Sequence, residues 1–371
     1  MKHLLFRFFP LILLSACAST HVEPFKSASD VQNITPEESR VWLEADKYDM
    51  AMVNGGNTYD LQSANVYLQS VMDKVQPEFK GAIQVRIAKS PQLNAFALPN
   101  GVIYFNIGLL SRLENEAQLA TVLAHESAHF TQKHGYKQRQ NLKNTSAFGN
   151  FFSETLAMSS TYGYSRDLER EADQIAFRKI DKAGYDTSQA GEAFEILAEE
   201  AKAMGEEEPF FFSSHPKLAE RIEDYQELNR NHKKGGLINK QRFDQFVGPL
   251  RLASLESDLS FDRQNVVIMV LTNEKRLANY PPEARYYLAE AYLRRGEKGD
   301  DQRAFAAYQT TLRAKPGFAP TYRSLGIYYL KKNEYGKAES YFSKYIQLAP
   351  NAADVDYVRN YVKLAKQGGA K

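Results

Sequence analysis

The chain has 371 residues, which is longer than one ordinary compact domain and favours two domains plus a targeting segment. Hydrophobic residues make up 43% and charged residues 25% of the sequence, a balance typical of folded soluble proteins rather than disordered or membrane-spanning ones. The formal net charge of +2 leaves no basic field strong enough to gather phosphates, so we expect no nucleic-acid partner.

The first 17 residues have the pattern of a secretory signal. Lys2 and Arg7 give a positive start, an apolar run extends from Phe8 to Leu14, and the segment ends in small residues. The ending Leu14-Ser15-Ala16-Cys17 resembles the bacterial lipobox, in which the cysteine is acylated. Cys17 is the only cysteine, so a structural disulfide is excluded. We predict lipidation of Cys17, and a plain cleaved signal is the alternative.

The segment after Cys17 is predicted to connect the lipid to the folded body. Residues 18–34 are polar and small, as in a tether. No later stretch is apolar over the length that a transmembrane helix needs, so the lipid is the predicted attachment to the membrane. A mature Cys-Ala start usually directs a lipoprotein of a Gram-negative cell to the outer membrane. We therefore expect a periplasmic protein at the inner face of the outer membrane.

Two helices are predicted next. Thr35-Pro36-Glu37-Glu38 is a capping box with proline at the first helical position, and it predicts a helix that turns Val41 and Trp42 inward. Asn54-Gly55-Gly56-Asn57 ends this helix. A second helix extends to Pro77 and has a predicted apolar face. That face comprises Leu61, Val66, Leu68, Val71 and Val75.

A small sheet is predicted between residues 83 and 106. Residues 83–87 alternate apolar and polar side chains, which is the period of a half-buried strand. Segments 94–98 and 102–106 flank Pro99-Asn100-Gly101, a hairpin signature. The pattern then changes to that of a helix from Asn115 to His134, with Gly135 as the stop signal.

The middle of the chain is predicted to be mostly helical. Residues 136–163 have no clean period and are interpreted as a partly helical connection beside the active cleft. Helices are predicted over 166–182 and 188–204. Residues 229–236 are polar, basic and end in glycine, and we place the domain boundary there.

The last third of the sequence contains a repeat. Large and small residues recur at the spacing of tetratricopeptide repeats, and Ala304, Tyr308 and Pro316 precede their equivalents by 34 residues. In the second unit the repeat positions are Tyr322, Leu325, Gly326, Tyr329, Ala338, Phe342 and Pro350. A solenoid this short needs flanking helices to bury its faces. The predicted segments are a signal with lipidated Cys17 (1–17), a tether (18–34), a first folded domain (35–230), a linker (231–256) and a tetratricopeptide-repeat domain (257–371).

The sequence His125-Glu126-Ser127-Ala128-His129 indicates a zinc centre. Residues four apart share a helical face, so both imidazoles can reach one metal ion. Glu126 is offset by one position and suits a general base for water that attacks a peptide carbonyl. A coincidental match on a charged helix is the alternative. The buried character of the helix argues against it, because two buried histidines need partners.

A third ligand is predicted on the helix that begins near Arg166. Glu169 and Asp173 are four residues apart and share a face with small alanines, which permit close approach to the first helix. We expect Glu169 to coordinate the zinc ion and Asp173 to accept a hydrogen bond from a liganding histidine. Glu171 is expected to be a solvated charge, and His134 is expected to be a C-terminal helix residue favoured by the helix dipole.

These motifs together resemble the HtpX/Oma-type gluzincin peptidases, which include the Oma-type and Ste-type proteases. The resemblance rests on the HExxH helix, the Glu-x-Glu-Ala-Asp helix and the Asn94–Gly101 hairpin, and the repeats are similar to those of BepA-like members. It implies His125, His129 and Glu169 as ligands of one Zn²⁺ per chain. It also implies a mainly α protein, in which an α+β gluzincin zinc metallopeptidase domain with a small sheet (35–230) precedes an all-α repeat domain.

The resemblance extends to His215-Pro216 with Arg221. In BepA-like members the histidine of this segment approaches the metal, so we hypothesise that His215 is the fourth ligand of a resting state. Arg221 then orients the segment or stabilises the oxyanion, and Tyr164 is a second oxyanion candidate. A solvent-exposed loop histidine is the alternative for His215.

The predicted function is zinc-dependent endopeptidase activity in the bacterial cell envelope. By the resemblance, its substrates are unfolded or misassembled outer-membrane and periplasmic proteins, and its repeat domain contacts the outer-membrane assembly machinery. The hairpin beside the zinc helix favours substrate binding by strand addition. The competing prediction is a repeat-based chaperone or assembly scaffold whose zinc site is latent or structural.

Overall fold

The computed structural model describes residues 22–144, 163–204, 218–230, 232 and 235–369. Most of these residues are helical, and a small sheet lies near the start, as the sequence predicted. Within the described ranges no helix is long and apolar enough to cross a membrane. Cys17 and His215 lie outside the described residues.

The first unit contains eight helices and three strands among its described residues. Its helices are α1 (Pro36–Asn54), α2 (Gln62–Val75), α3 (Ile107–Arg112), α4 (Glu116–Thr131), α5 (His134–Asn144), α6 (Arg166–Lys182), α7 (Gln189–Met204) and α8 (Leu218–Arg230). Its strands are β1 (Gln84–Ala88), β2 (Ala95–Ala97) and β3 (Val102–Asn106). Short 3-10 turns at Asp30–Gln32 and Pro77–Phe79 precede α1 and β1.

The first helix begins as predicted, and the second buries three of the five residues of its predicted apolar face. Thr35 and Glu38 form the reciprocal capping box that starts α1. In α2, Leu61 at the N-cap and Val66 in the second turn are exposed, contrary to the predicted face. Leu68, Val71 and Val75 are buried as predicted. The buried face also includes Met72 and Tyr67, whose hydroxyl donates a hydrogen bond to buried Glu116.

The predicted hairpin is present and forms one edge of the sheet. The strand order is β1-β3-β2, with β1 parallel and β2 antiparallel to β3. Central β3 is buried on both faces, which agrees with its run of apolar and aromatic residues from Val102 to Phe105. Helix α4 packs against the hairpin and against α6, and these contacts bring the two predicted zinc-ligand segments together.

Helix α4 ends earlier than predicted. Its last residue is Thr131, and Lys133 has a φ of 56°, a left-handed conformation that turns the chain. Helix α5 then begins at His134, so Gly135 lies inside a second helix and is not a stop signal. Lys133 is held by an ion pair of 2.6 Å with Glu38.

The described part of the predicted tether, residues 22–34, packs against the folded body. Phe25 is 6% exposed, and its N–H donates to the carbonyl of Thr131 at the end of α4. Its ring contacts the rings of Trp42 and Phe130. The apolar ring of Phe25 therefore fixes this segment against the zinc helix, because its burial removes hydrophobic surface from water.

A second helical unit follows. It consists of α9 (Lys240–Ser260), α10 (Gln264–Thr272), α11 (Glu274–Leu277), α12 (Ala284–Arg295), α13 (Asp300–Ala314), α14 (Ala319–Lys331), α15 (Tyr335–Leu348) and α16 (Val355–Gly368). Residues 240–256 of the predicted linker are thus helical. Helix α9 buries Phe243 and Val247 in the first core and Leu255 and Leu259 in the second.

Buried charges also join the two units. Arg112 of α3 pairs with Glu200 of α7 at 2.8 Å and with Asp258 of α9 at 2.7 Å. All three side chains are nearly inaccessible to solvent. These ion pairs restrict how the two units pack together, because a packing that left one of the buried charges unpaired would be strongly destabilising.

Two helical hairpins lie where the repeats were predicted. They are α12–α13 and α14–α15, and Tyr308 and Phe342 are fully buried at equivalent positions. A Cβ on Gly326 would lie 2.5 Å from the ring of Phe342, so only glycine permits this close helix contact. The assignment of these hairpins to the tetratricopeptide class stays a prediction.

Candidate metal centre

Three side chains from two helices converge at one point. His125 and His129 are one turn apart on α4, and their Nε2 atoms are 3.0 Å apart. Glu169, on the first turn of α6, lies with Oε2 3.4 Å from Nε2 of His125 and Oε1 3.5 Å from Nε2 of His129. All three residues are buried. Each offers one ligand atom within 4.8 Å of the others.

The spacing of these atoms fits a zinc ion. Zinc forms bonds of about 2.0–2.2 Å to nitrogen and oxygen, so a tetrahedral ion holds its ligand atoms roughly 3.3 Å apart. The observed separations of 3.0, 3.4 and 3.5 Å lie on either side of that value. Two histidines and one glutamate also form a donor set of catalytic zinc sites, in which a fourth position takes water or substrate.

Glu126 lies on the same helix, directly after the first histidine ligand, and is fully buried. Burial, and after it the nearby charges of Glu126 and Glu169, raise the pKa of Tyr164. Tyr164 therefore keeps its hydroxyl proton, and it lies within the electrostatic reach of both carboxylates. Glu126, Glu169 and Tyr164 are therefore close neighbours at the candidate centre.

The distal nitrogen of His125 faces a buried ion pair. Nδ1 of His125 lies 2.9 Å from Oδ1 of Asp173, one turn beyond Glu169 on α6. Arg221 of α8 holds Asp173 with two hydrogen bonds, of 2.8 Å from Nε and 2.6 Å from a terminal nitrogen. Its other terminal nitrogen lies 3.4 Å from Oε2 of Glu169.

Two further side chains, Tyr225 and Phe194, contact the ion pair of Asp173 and Arg221. Tyr225 donates a hydrogen bond of 3.1 Å to Asp173, and the guanidinium of Arg221 lies 4.3 Å from the centre of the Phe194 ring. Burial opposes charge on Asp173, but Arg221 and His125 outweigh it and lower the pKa of Asp173. The same burial and the charge of Asp173 raise the pKa of Tyr225. Asp173 is therefore ionised and Tyr225 is neutral.

The distal nitrogen of His129 faces different groups. Its Nδ1 lies 2.9 Å from Nδ1 of His134, and Nε2 of His134 lies 3.3 Å from Oε2 of Glu171. The ring of Tyr164 stacks on the His129 ring, with centroids 3.9 Å apart and planes inclined by 14°. His134 is fully buried, and burial lowers its pKa to about 4.

The site differs from the sequence predictions at several residues. Glu171, predicted to be a solvated charge, contacts His134, although its side chain is 42% exposed. His134 begins a helix and does not end one. Tyr225 and Phe194 were not among the residues predicted from the sequence. Their only sequence signal is the helical spacing of Arg221 and Tyr225, which places both on one face.

The edge strand β2 passes beside the zinc helix. Across the hairpin, the N–H of Leu98 donates to the carbonyl of Val102, and the carbonyl of Asn94 accepts from the N–H of Asn106. In an antiparallel pair such positions alternate, so the backbone groups of Ala95 and Ala97 face away from β3. Among the described strands, none pairs with β2 on that side.

The sequence was compared with protein families and with known proteins. Residues 62–229 match the model of Peptidase family M48. A putative beta-barrel assembly-enhancing protease of Vibrio cholerae is 26% identical over 227 residues, which cover 54% of this chain and 45% of that protein. The mitochondrial metalloendopeptidase OMA1 of Schizosaccharomyces pombe is 28% identical over 155 residues, which cover 39% and 46% of the two chains.

The beta-barrel assembly-enhancing protease of Escherichia coli gives a shorter match. It is 25% identical over 159 residues, which cover 37% of this chain and 32% of that protein. The chain thus spans about half the length of the curated relatives it matches first. The matched segment contains the metal centre described above.

Proposed function

We propose that this chain, which carries a Peptidase family M48 domain at residues 62–229, is a zinc-dependent endopeptidase. One observation carries the proposal. The Nε2 atoms of His125 and His129 and the carboxylate of Glu169 lie 3.0–3.5 Å apart in a buried site, which is the spacing that a tetrahedral zinc ion requires.

The proposed chemistry divides among few residues. A bound zinc ion would supply Lewis acidity, which polarises a peptide carbonyl and acidifies water. Glu126 accepts the proton of the attacking water and passes it to the leaving amine. Tyr164, which keeps its hydroxyl proton, is the candidate donor to the developing oxyanion. We assign Arg221 to holding Asp173 and Glu169 in place, since its nitrogens contact both carboxylates.

The proposed substrate is an extended polypeptide. The backbone groups of Ala95 and Ala97 offer the hydrogen-bond pattern that a substrate strand needs, and α4 packs directly against this hairpin. In strand addition the enzyme binds mainly the backbone of the substrate. Cleavage would therefore depend more on an unfolded conformation of the substrate than on its sequence. This preference suits misfolded or misassembled proteins as substrates.

The proposed setting is the bacterial cell envelope. Two of the relatives are named beta-barrel assembly-enhancing proteases, and the predicted lipid on Cys17 would hold this chain at the outer membrane. The helical hairpins of the second unit are the proposed contact with unfolded clients or with the assembly machinery. We retain the hypothesis that His215 occupies the fourth zinc position at rest. In that case a His215→Ala variant gains activity.

The test is cleavage of an unfolded protein such as casein by the purified full-length chain. Glu126→Gln should lose on the order of 10²–10⁴-fold in cleavage rate, because the general base is removed, and it should keep its zinc. Glu227→Gln, the same change at an exposed position of α8, is the matched control and should cleave normally. Cleavage by Glu126→Gln at the rate of the natural chain would exclude the proposed role of Glu126. Zinc binding without cleavage by any form, His215→Ala included, would favour the scaffold function.

A further inference from the structure

A buried histidine that the proposed reaction does not use begins the helix that follows α4. The left-handed backbone at Lys133 turns the chain sharply after α4, and His134 then lies against the metal ligand His129. A non-glycine residue in this conformation is strained. Two contacts of the Lys133 ammonium offset this strain. It forms an ion pair with Glu38, and its Nζ lies 4.1 Å from the centre of the Phe25 ring.

We propose that His134, itself held by Glu171, is the positioning residue for the metal ligand His129. The inference rests on the proposed zinc site and adds to it the group that fixes the second histidine. His134 is not a ligand. Its Nδ1 contacts Nδ1 of His129, whereas the nitrogen of His129 that faces His125 and Glu169 is Nε2.

Metal binding by His129 would determine the direction of both hydrogen bonds. When Nε2 of His129 binds a metal ion, its Nδ1 carries the proton and donates to Nδ1 of His134. His134 then carries its own proton on Nε2 and donates it to the carboxylate of Glu171, 3.3 Å away. A neutral histidine thus links the ligand to a carboxylate. In the usual arrangement the carboxylate contacts the liganding histidine directly.

Two contacts together restrict the His129 ring. Tyr164 stacks on its face and limits tilting, and His134 accepts from its edge and limits rotation about the side-chain bond. The ring is therefore held before the metal arrives. Such orientation contributes to affinity, because less rotational freedom is lost when the metal binds.

The experiment measures zinc affinity of the full-length chain by competition with a chromophoric chelator. His134→Leu removes the acceptor and should weaken zinc binding on the order of 10–100-fold. His134→Asn places Oδ1 on Cγ, as Nδ1 is in histidine, and should recover most of that loss. His134→Gln reaches Glu171 but not His129, so it should bind zinc as weakly as the leucine variant.

A second readout and a matched control separate positioning from packing. The visible spectrum of the Co²⁺-loaded protein should change in the leucine and glutamine variants and return in the asparagine variant. His232→Leu is the control, because His232 also pairs with a carboxylate of α6, Asp181 at 2.8 Å, and we place it outside the site. Its zinc affinity should equal that of the natural chain.

The outcomes distinguish this inference from the proposed function. Zinc binding by the natural chain with equal affinities in the leucine, glutamine and asparagine variants would overturn the role of His134 alone. Tighter zinc binding by the glutamine variant than by the asparagine variant would overturn it too, since side-chain packing rather than the hydrogen bond to His129 would then determine zinc affinity. If the natural chain binds no zinc, both proposals fail. Should the leucine variant not fold, the asparagine and glutamine variants, which are both polar, decide the question.

Discussion

Two histidines on one helix have supports of different origin. The distal nitrogen of His125 faces Asp173 and Arg221, which come from α6 and α8 and form a buried ion pair. The distal nitrogen of His129 faces His134, a neutral residue only five positions along the chain. One ligand thus depends on the assembly of three helices. The other depends on a local turn that leads to the partly exposed Glu171.

This difference predicts different effects of mutations behind His125 and behind His129. A buried charge pair is rigid when complete and strongly destabilising when one partner is lost. A neutral hydrogen bond contributes only about 1 kcal/mol, and its loss changes ligand orientation more than it changes folding. Mutations on the His125 side should therefore damage stability and metal binding together. Those on the His129 side should damage metal binding alone.

The largest effect is expected from Asp173→Ala. Arg221 would be left buried without its carboxylate, so the free energy of unfolding of the metal-free protein should fall by about 3–5 kcal/mol in a urea titration. Asp181→Ala on the same helix is the control, because Asp181 and its partner His232 are partly exposed and their loss should cost less than about 1 kcal/mol. Equal losses would contradict the contrast.

A double variant separates stability from metal binding on the same side. Asp173→Leu with Arg221→Met removes both charges, so its loss in free energy of unfolding should be about 2 kcal/mol or less, smaller than that of either single variant. Zinc affinity should stay low, because Nδ1 of His125 has lost the acceptor in both cases. Additive losses in urea, or recovered zinc binding, would show that the ion pair does not act as one unit.

Tyr225→Phe should have a smaller effect. It removes one hydroxyl that donates to Asp173 and leaves the bonds from Arg221, so the free energy of unfolding should fall by about 1 kcal/mol. Tyr357→Phe is the control, since Tyr357 is 72% exposed and should not change the urea midpoint. A loss comparable to that of Asp173→Ala would mean that Tyr225, not Arg221, holds the carboxylate.

The smallest stability effect is expected from Glu171→Ala. Its side chain is 42% exposed, so the free energy of unfolding should change by less than about 1 kcal/mol. Zinc affinity should nevertheless fall, since His134 loses the acceptor that fixes its tautomer. A large loss of stability, or zinc affinity equal to that of the natural chain, would remove the distinction between the two sides.

The sequence predicted what short-range spacing determines. The four-residue separation of His125 and His129, and of Glu169 and Asp173, puts each pair on one face of a helix wherever that helix packs. The capping box at Thr35 and the hairpin around Asn100 are local signals of the same kind, and the structure contains both elements.

The sequence did not predict what distant packing determines. Gly135 resembled a helix stop, but Lys133 makes the turn because Glu38 and Phe25, about a hundred residues earlier, stabilise it. Phe25 itself looked like part of a tether, since its burial depends on Trp42 and Phe130. Residues 240–256 looked like a linker because the apolar residues of α9 divide between two cores and show a weak period.

The most direct test of the zinc centre is a crystal structure of the zinc-loaded chain with data collected at the zinc absorption edge. We expect one anomalous peak per chain, about 2.0–2.2 Å from Nε2 of His125, Nε2 of His129 and a carboxylate oxygen of Glu169. Nδ1 of His134 should be outside bonding distance of the metal. A peak at another position, or none at this one, would contradict the assignment of the centre.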